Sequence, residues 1–174
     1  MITYKNTGCN NAIYAVRKTV ENYVNAGNTI NLCALDLSKA FDKVNHHALF
    51  IKLMKRNIPV QLLDIIVNLF CECYSCVKWE NFFSPMFAVT FGVRQGSVLS
   101  PILFAVYIDD ISSLSAPRYG HFVFVYADDI MLLAPSVTEL ERLLHICEKE
   151  LEWLDMSINF KKSCCLRIGS RLAL

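Results

Sequence analysis

A chain of 174 residues fits one compact domain or one lobe of a larger protein. Apolar residues make up 54% and charged residues 19%, which excludes a disordered tail, since a chain this apolar can offset the ordering of its backbone by burial. The net charge of +1 does not by itself point to a nucleic-acid partner. No apolar run reaches the ~18 residues a membrane span needs. The longest, Val98 to Ile108, is broken by Ser100 and Pro101 and stopped by Asp109. Met1 to Asn10 holds Lys5 but no apolar stretch of the secretory kind, so the expected location is intracellular, cytoplasmic or nuclear, with no membrane partner.

Along the chain, Asn10 to Tyr23 reads as a helix ending near Gly27. Thr29 to Leu37, rich in Ile, Leu and Cys with Asp36 at its end, predicts a strand. Asn45 is the expected N-cap of a helix to about Arg56, stopped before Ile58-Pro59. Pro59 suits the first turn of the next helix, whose Leu62, Leu63, Ile65, Ile66, Leu69 and Phe70 keep helical spacing. Tyr74 to Trp79 and Met86 to Phe91 predict short strands of a hairpin, and Gly92 to Gly96 a loop. Ser100-Pro101 is a cap and first turn for a helix to about Ile111. Two apolar strands, His121 to Tyr126 and Ile130 to Ala134, flank Ala127-Asp128-Asp129. Thr138-x-x-Glu141 predicts a capping box for a helix lined by Leu140, Leu143, Leu144, Cys147, Leu151 and Leu154. A last strand is expected from Cys164 to Ile168. The mixture predicts an α+β fold in two layers, helices on one face of a mainly antiparallel sheet.

Basic residues cluster at Arg17-Lys18, at Lys52-Lys55-Arg56 and at Lys161-Lys162-Arg167-Arg171, each open to a solvated or a polyanion-binding reading. The eight cysteines include the C-x-C-x-x-C of Cys71, Cys73 and Cys76, but no second pair or spaced histidines complete a zinc set. Buried structural thiols are the expectation.

Asp36, Asp128 and Asp129 stand beside apolar strands, where carboxylates are costly. Turn chemistry accounts for a lone Asp in a hairpin. Adjacent carboxylates against an apolar core, however, repel unless a cation lies between them. Two divalent ions ~3.5–4 Å apart can clamp the attacking and leaving oxygens of a phosphoryl transfer, and hard oxygen ligands favour magnesium. A two-carboxylate hydrolase of the glycosidase kind stays open on spacing alone. Asp109-Asp110 ends a helix and reads as a solvent-facing stop.

Four segments then carry a resemblance. Leu35-Asp36-Leu37-Ser38-Lys39-Ala40-Phe41-Asp42-Lys43-Val44 resembles the first catalytic motif of reverse transcriptases from non-LTR retrotransposons. Gly92-Val93-Arg94-Gln95-Gly96-Ser97-Val98-Leu99-Ser100-Pro101 is similar to their nucleotide-and-template loop, and Tyr126-Ala127-Asp128-Asp129 to their catalytic hairpin. Asn159-Phe160-Lys161-Lys162-Ser163 resembles the motif after the palm helix, and the four keep the family's order.

The resemblance implies a right-hand polymerase palm with part of the fingers, an antiparallel sheet packed by helices, the thumb absent. It implies fingers remnants at about 1–28 and 45–91 and palm at about 29–44 and 92–174. The implied reaction is RNA-directed DNA synthesis from an RNA template, a DNA primer and a dNTP, with two magnesium ions for which manganese can substitute. Asp36 and Asp128 would hold the metals, with Asp129 nearby and the Leu37 carbonyl as a further ligand. Phe41 matches the position that excludes a ribose 2′-hydroxyl. Gln95 and Gly96 match residues that approach the nascent base pair, Gly96 because backbone without a Cβ can come close, and Arg94 is expected to contact template or nucleotide. Lys162 matches the lysine that protonates pyrophosphate. The upstream triphosphate grip and the downstream primer grip and thumb are not seen. Two expectations therefore stand: a polymerase core, or an inert truncated remnant that only folds or binds nucleic acid.

Overall fold

The computed structural model describes residues 9–169. Arg171 of the last basic cluster and the start of the Met1 to Asn10 stretch lie outside the described residues. In chain order the elements are helix α1 (Cys9–Asn25), strand β1 (Ile30–Asp36), a 3₁₀ turn (Ala40–Lys43), α2 (His46–Lys55) and α3 (Val60–Cys71). Four short strands follow: β2 (Tyr74–Ser75), β3 (Lys78–Trp79), β4 (Phe82–Phe83) and β5 (Phe87–Ala88). Then come α4 (Ser100–Ile108), 3₁₀ turns at Asp109–Leu114 and Pro117–Tyr119, β6 (Phe122–Tyr126), β7 (Asp129–Ala134), α5 (Val137–Trp153) and β8 (Cys164–Ile168). The chain divides into two compact units, Met1–Ala40 with Ile108–Leu174, and Phe41–Tyr107.

The first unit is built on an antiparallel sheet of order β6-β7-β1-β8. In β1, Leu32 stands opposite both Leu133 of β7 and Leu166 of β8. On one face Ile30, Leu32, Phe124 and Leu133 pack with Ala15 of α1, flanked by Val16, Val20 and Tyr23. The alternate positions Asn31 and Cys33 face the other way and border Leu140 and Leu144 of α5. Leu140, Leu143, Cys147 and Leu151 are the buried stripe of α5. The sheet thus carries helices on both faces, not on one as the sequence suggested. β1 is apolar at nearly every position because both its faces are covered. Its one polar interior residue, Asn31, donates Nδ2 to the carbonyls of Ala134 and Pro135 at 3.5 and 3.2 Å. Each leucine so buried contributes ~1.5–3 kcal/mol.

The cap of α5 also differs from expectation. Ser136, two residues ahead of Thr138, is the N-cap, and its hydroxyl accepts the Glu139 N–H at 3.2 Å. The Glu139 carboxylate turns to His121, whose Nε2 lies 2.7 Å away, off the hydrogen-bonding direction. Asp109 and Asp110 open the 3₁₀ turn after α4, where their carbonyls accept from Ser112 and Ser113.

In the second unit α2 packs on α3, with His46 and Phe50 against Phe70, and Leu49, Phe50, Leu53, Leu63 and Ile66 are buried. Asn45 caps α2 as expected, its Oδ1 accepting the Ala48 N–H at 3.1 Å. Pro59 is the N-cap of α3 and not its first turn. Lys52 does not belong to a solvated cluster: it is 5% exposed, donates to the Tyr107 carbonyl in the last turn of α4 and lies over the Tyr107 ring. A cation there complements the helix C-terminus. The expected hairpin is two nested ladders, β2 with β5 and β3 with β4, turning at Glu80 and Asn81. Pro85 lacks an N–H, and between the ladders Ser84 Oγ accepts from Val77 N at 2.9 Å. Five of the eight cysteines are exposed; Cys33, Cys73 and Cys147 are buried, so the expectation of buried thiols holds for these three alone. Among the described residues no helix is long and apolar enough to cross a membrane.

Candidate active site

The β6-β7 hairpin closes on Ala127 and Asp128, with Tyr126 opposite Asp129. Ala127 takes φ +49° while Asp128 does not take a positive φ, the sign pattern of a two-residue II′ hairpin whose twist suits antiparallel strands. This tight turn puts Asp128 at the tip and Asp129 at the first position of β7. In the next ladder Asp36 is the register partner of Asp129.

The end of β1 is held from its other side. Asp36 donates its N–H to Ser163 Oγ at 3.1 Å and accepts the Asn159 N–H at 2.8 Å. Ser163 Oγ donates to the Asn159 carbonyl at 2.9 Å, closing the loop on itself. Because both backbone groups of Asp36 face this segment, neither is used toward β7. The Asp36–Asp129 pair is therefore of the non-hydrogen-bonded kind, with Cα atoms ~4.5 Å apart and side chains on one face. The Leu37–Ile158 bridge is likewise made through Asp36 O and Ser38 N, so the Leu37 carbonyl points to the β7 side. Lys162 Nζ lies 3.9 Å from Asp36 Oδ2, with its side chain 70% exposed. Ser163 has a positioning part that the sequence did not reveal.

The carboxyl of Asp129 is held above its ordinary range, first by burial, then by the charges of Asp128 and Asp36. Among the described residues no three His, Cys, Asp or Glu side chains close into a metal-ligand cage. Magnesium is ordinarily held by one or two carboxylates and completes its shell with water and substrate phosphates. An open edge of paired carboxylates, all hard oxygen donors, fits that ion.

In the second unit the Gly92 to Gly96 loop is tied to the segment after β1. Gly92 N–H donates to Val44 O and Val93 N–H to Phe41 O, both at 2.8 Å. A Cβ at Gly92 would stand 2.9 Å from Asp42 O, so the close backbone approach lies here. Gly96 takes φ +84° with nothing within 4 Å, so its glycine is required by conformation. His46 is buried, packs against Phe70 with the rings tilted by 58° and centroids 4.6 Å apart, and bonds through Nε2 to the Gly92 carbonyl at 2.8 Å. Neither Gly92 nor His46 was assigned a part from sequence; the Asn45 cap followed by His46 was the available signal. Gln95 Nε2 donates to Asp42 Oδ1 at 3.4 Å, Arg94 Nη2 reaches Cys73 Sγ at 3.2 Å, and Ser100 Oγ donates to Arg94 O at 2.6 Å. Ser100 is thus a helix residue tied back to the loop and not the expected cap. The Phe41 ring is half-buried and stacks on Phe104 at 4.6 Å.

An antiparallel sheet thus presents paired aspartates at a hairpin, with a lysine in the turn that precedes its edge strand. The chain belongs to the reverse transcriptase (RNA-dependent DNA polymerase) family, whose model matches residues 6–168. It is 28% identical over 143 residues to the Pol polyprotein of the R2DM retrotransposable element of Drosophila melanogaster, covering 78% of this chain and 13% of that protein. It is 28% identical over 147 residues to the RNA-directed DNA polymerase of the Drosophila mobile element jockey, covering 79% of this chain and 16% of that one. These relatives are non-LTR retrotransposon proteins, as the motifs suggested, and the chain spans under a fifth of either. The fold is similar to that of telomerase from Candida tropicalis in complex with a fragment of telomeric RNA. That likeness has a TM-score of 0.75 at 14% identity, over 94% of this chain and 30% of the telomerase.

Proposed function

We propose that the chain is the catalytic segment of a polymerase that joins a deoxynucleotide to a primer 3′-hydroxyl on an RNA template. The observation that carries this reading is the pairing of Asp36 with Asp129 across one ladder, with Asp128 in the adjoining turn, in a chain of this family. Asp36 and Asp128, with Asp129 beside them and the Leu37 carbonyl on the same side, would hold two magnesium or manganese ions. Bound there, such ions lower the pKa of an attacking hydroxyl and neutralise charge on the transferred phosphate. A cation at this edge would offset the burial and the neighbouring charges that hold the Asp129 carboxyl above its ordinary range. Lys162 keeps its ammonium near Asp36 and donates a proton to departing pyrophosphate. Phe41, fixed by its stack on Phe104, excludes a ribose 2′-hydroxyl. Gln95 and Gly96 meet the nascent base pair, and Arg94 the template or nucleotide. Template affinity rests on phosphate contacts and so weakens with salt.

The test is magnesium titration read by thermal unfolding, with primer extension on an RNA template beside it. The expected result is a magnesium-dependent rise in unfolding temperature that Asp36→Asn with Asp128→Asn removes, with any extension lost too. Equal magnesium response in wild type and double variant would refute the assignment.

A further inference from the structure

Three residues back from Asp36, β1 carries a feature that the polymerase reading leaves unused. Cys33 is the register partner of Cys165 on β8, and the Cys165 thiol lies 3.0 Å from Cys33 Sγ, directed at it. Backbone groups alternate sides along a strand. Since Asp36 points both of its own toward the segment leading into β8, Cys33, an odd number of positions away, points neither there. Cys33 and Cys165 are thus a non-hydrogen-bonded cross-strand pair, with Cα atoms ~4.5 Å apart. That lies within the ~4.4–6.8 Å a disulfide spans. Both cysteines line an open hollow of about 440 Å³ beside α5, together with Leu140, Leu144 and Arg167. Cys165 is exposed and Cys33 is buried.

We propose that Cys33 and Cys165 are a dithiol modification site, which a small disulfide of the glutathione class oxidises to an intrachain disulfide. The reaction balances in two exchanges. The Cys165 thiolate attacks one sulfur of glutathione disulfide, forming a mixed disulfide and releasing one glutathione thiolate. Cys33 sulfur then attacks Cys165 Sγ, the mixed S–S bond breaks, and the second glutathione leaves. Both thiol protons pass to the two glutathiones, which are reduced as the protein loses two electrons. The order follows from the surroundings. Burial and the Cys165 bond push the Cys33 thiol up to about 12, so entry is at the exposed sulfur and Cys33 resolves. The product staples the exposed edge strand β8, which begins immediately after Ser163, to the strand that carries Asp36.

The test uses the reduced, desalted chain incubated with glutathione disulfide and then mapped by non-reducing peptide mass spectrometry. The expected product is a peptide pair linked through Cys33 and Cys165, with two fewer free thiols. Because the link closes a 132-residue separation, the unfolding temperature should rise by on the order of 10 °C and fall back on reduction. Cys165→Ser, a change at an exposed position, should abolish both effects, and Cys164→Ser should leave both. A stable mixed disulfide at Cys165, pairing of Cys33 with Cys147 or of Cys164 with Cys165, or an unchanged temperature shift in Cys165→Ser would each overturn the proposal.

Discussion

The β7 strand and the β2 to β5 ribbon are both rich in large apolar residues, yet they have opposite fates. In β7, Ile130, Leu132 and Leu133 are fully buried between helices on two faces. In the ribbon, Trp79 and Phe82 are each 76% exposed, and Phe83 and Phe87 are exposed as well. Two-residue ladders bring no second layer over their side chains, whereas a four-stranded sheet between α1 and α5 covers both faces. Apolar content alone does not decide burial; the number of strands and the presence of a covering helix do. The acidic edge is built on the doubly covered member of the pair, where packing on both faces fixes carboxylates of like charge side by side.

The largest expected effect breaks this comparison directly. Leu132→Ala empties a site with no exposure and should cost ~2–5 kcal/mol in urea unfolding. Phe82→Ala removes a larger side chain, yet should stay within ~0.5 kcal/mol. Similar losses at both positions would mean that the ribbon aromatics are covered in solution.

A second pair sharpens the contrast between space and conformation. Gly92 and Gly96 have nearly the same φ, +85° and +84°, but only Gly92 faces backbone, with Asp42 O and Phe41 O at 2.9 and 3.0 Å from where a Cβ would stand. Gly96→Ala should cost ~1 kcal/mol for its left-handed conformation. Gly92→Ala adds a backbone clash and strains two hydrogen bonds, for a total of roughly 2–3 kcal/mol. Equal costs would show that the 92–93 segment moves aside freely.

Much of this was legible in the residues, for reasons that also explain the misses. Strands β1, β6 and β7 announced themselves as apolar runs bordered at one end by acids, and α5 because its leucines kept helical period. The covering of both sheet faces had its signal too: Asn31 apart, Ile30 to Leu35 is apolar at both parities, as suits a doubly buried strand. Phe82 and Phe83 were missed because a two-residue strand has no period to read. Ser136-x-x-Glu139 and Thr138-x-x-Glu141 are overlapping capping boxes, and only the packing of Glu139 beside His121 selects the first. The aspartates were found by type and place, but Ser163 holds Asp36, and His46 holds Gly92 in the second unit, through bonds between segments remote in sequence.

The third effect is smaller and runs the other way. Asp36 and Asp129 are like charges directly opposed, an arrangement that costs ~0.2–1 kcal/mol. With its carboxyl held above the ordinary range, Asp129 binds a proton more tightly folded than unfolded. Its penalty is absent below the unfolded pKa, grows as pH rises toward the folded one, and is full above it. Asp129→Asn should therefore stabilise the metal-free chain at neutral pH, by an amount that vanishes in acid. Urea unfolding at both pH values checks it, and destabilisation at neutral pH would contradict the reading.

The smallest effect lies at the hairpin tip itself. Ala127 holds φ +49°, which costs a residue with a Cβ ~1–2 kcal/mol. Such strain persists where surrounding structure fixes it, and here the Tyr126–Asp129 pair fixes the turn. Ala127→Gly removes the strain but loses ~0.5–1 kcal/mol more backbone entropy on folding. The difference leaves a net gain of about 0.5 kcal/mol. Ala127→Val, β-branched at the same φ, should instead lose ~1–3 kcal/mol. The functional readout separates stability from positioning. A glycine beside Asp128 leaves the turn less fixed, so the magnesium-dependent rise in unfolding temperature should shrink even as the metal-free chain becomes slightly more stable. Glycine and valine variants of equal stability would show that the turn is not strained. A full magnesium response in the glycine variant would show that Asp128 needs no rigid turn to meet its ion.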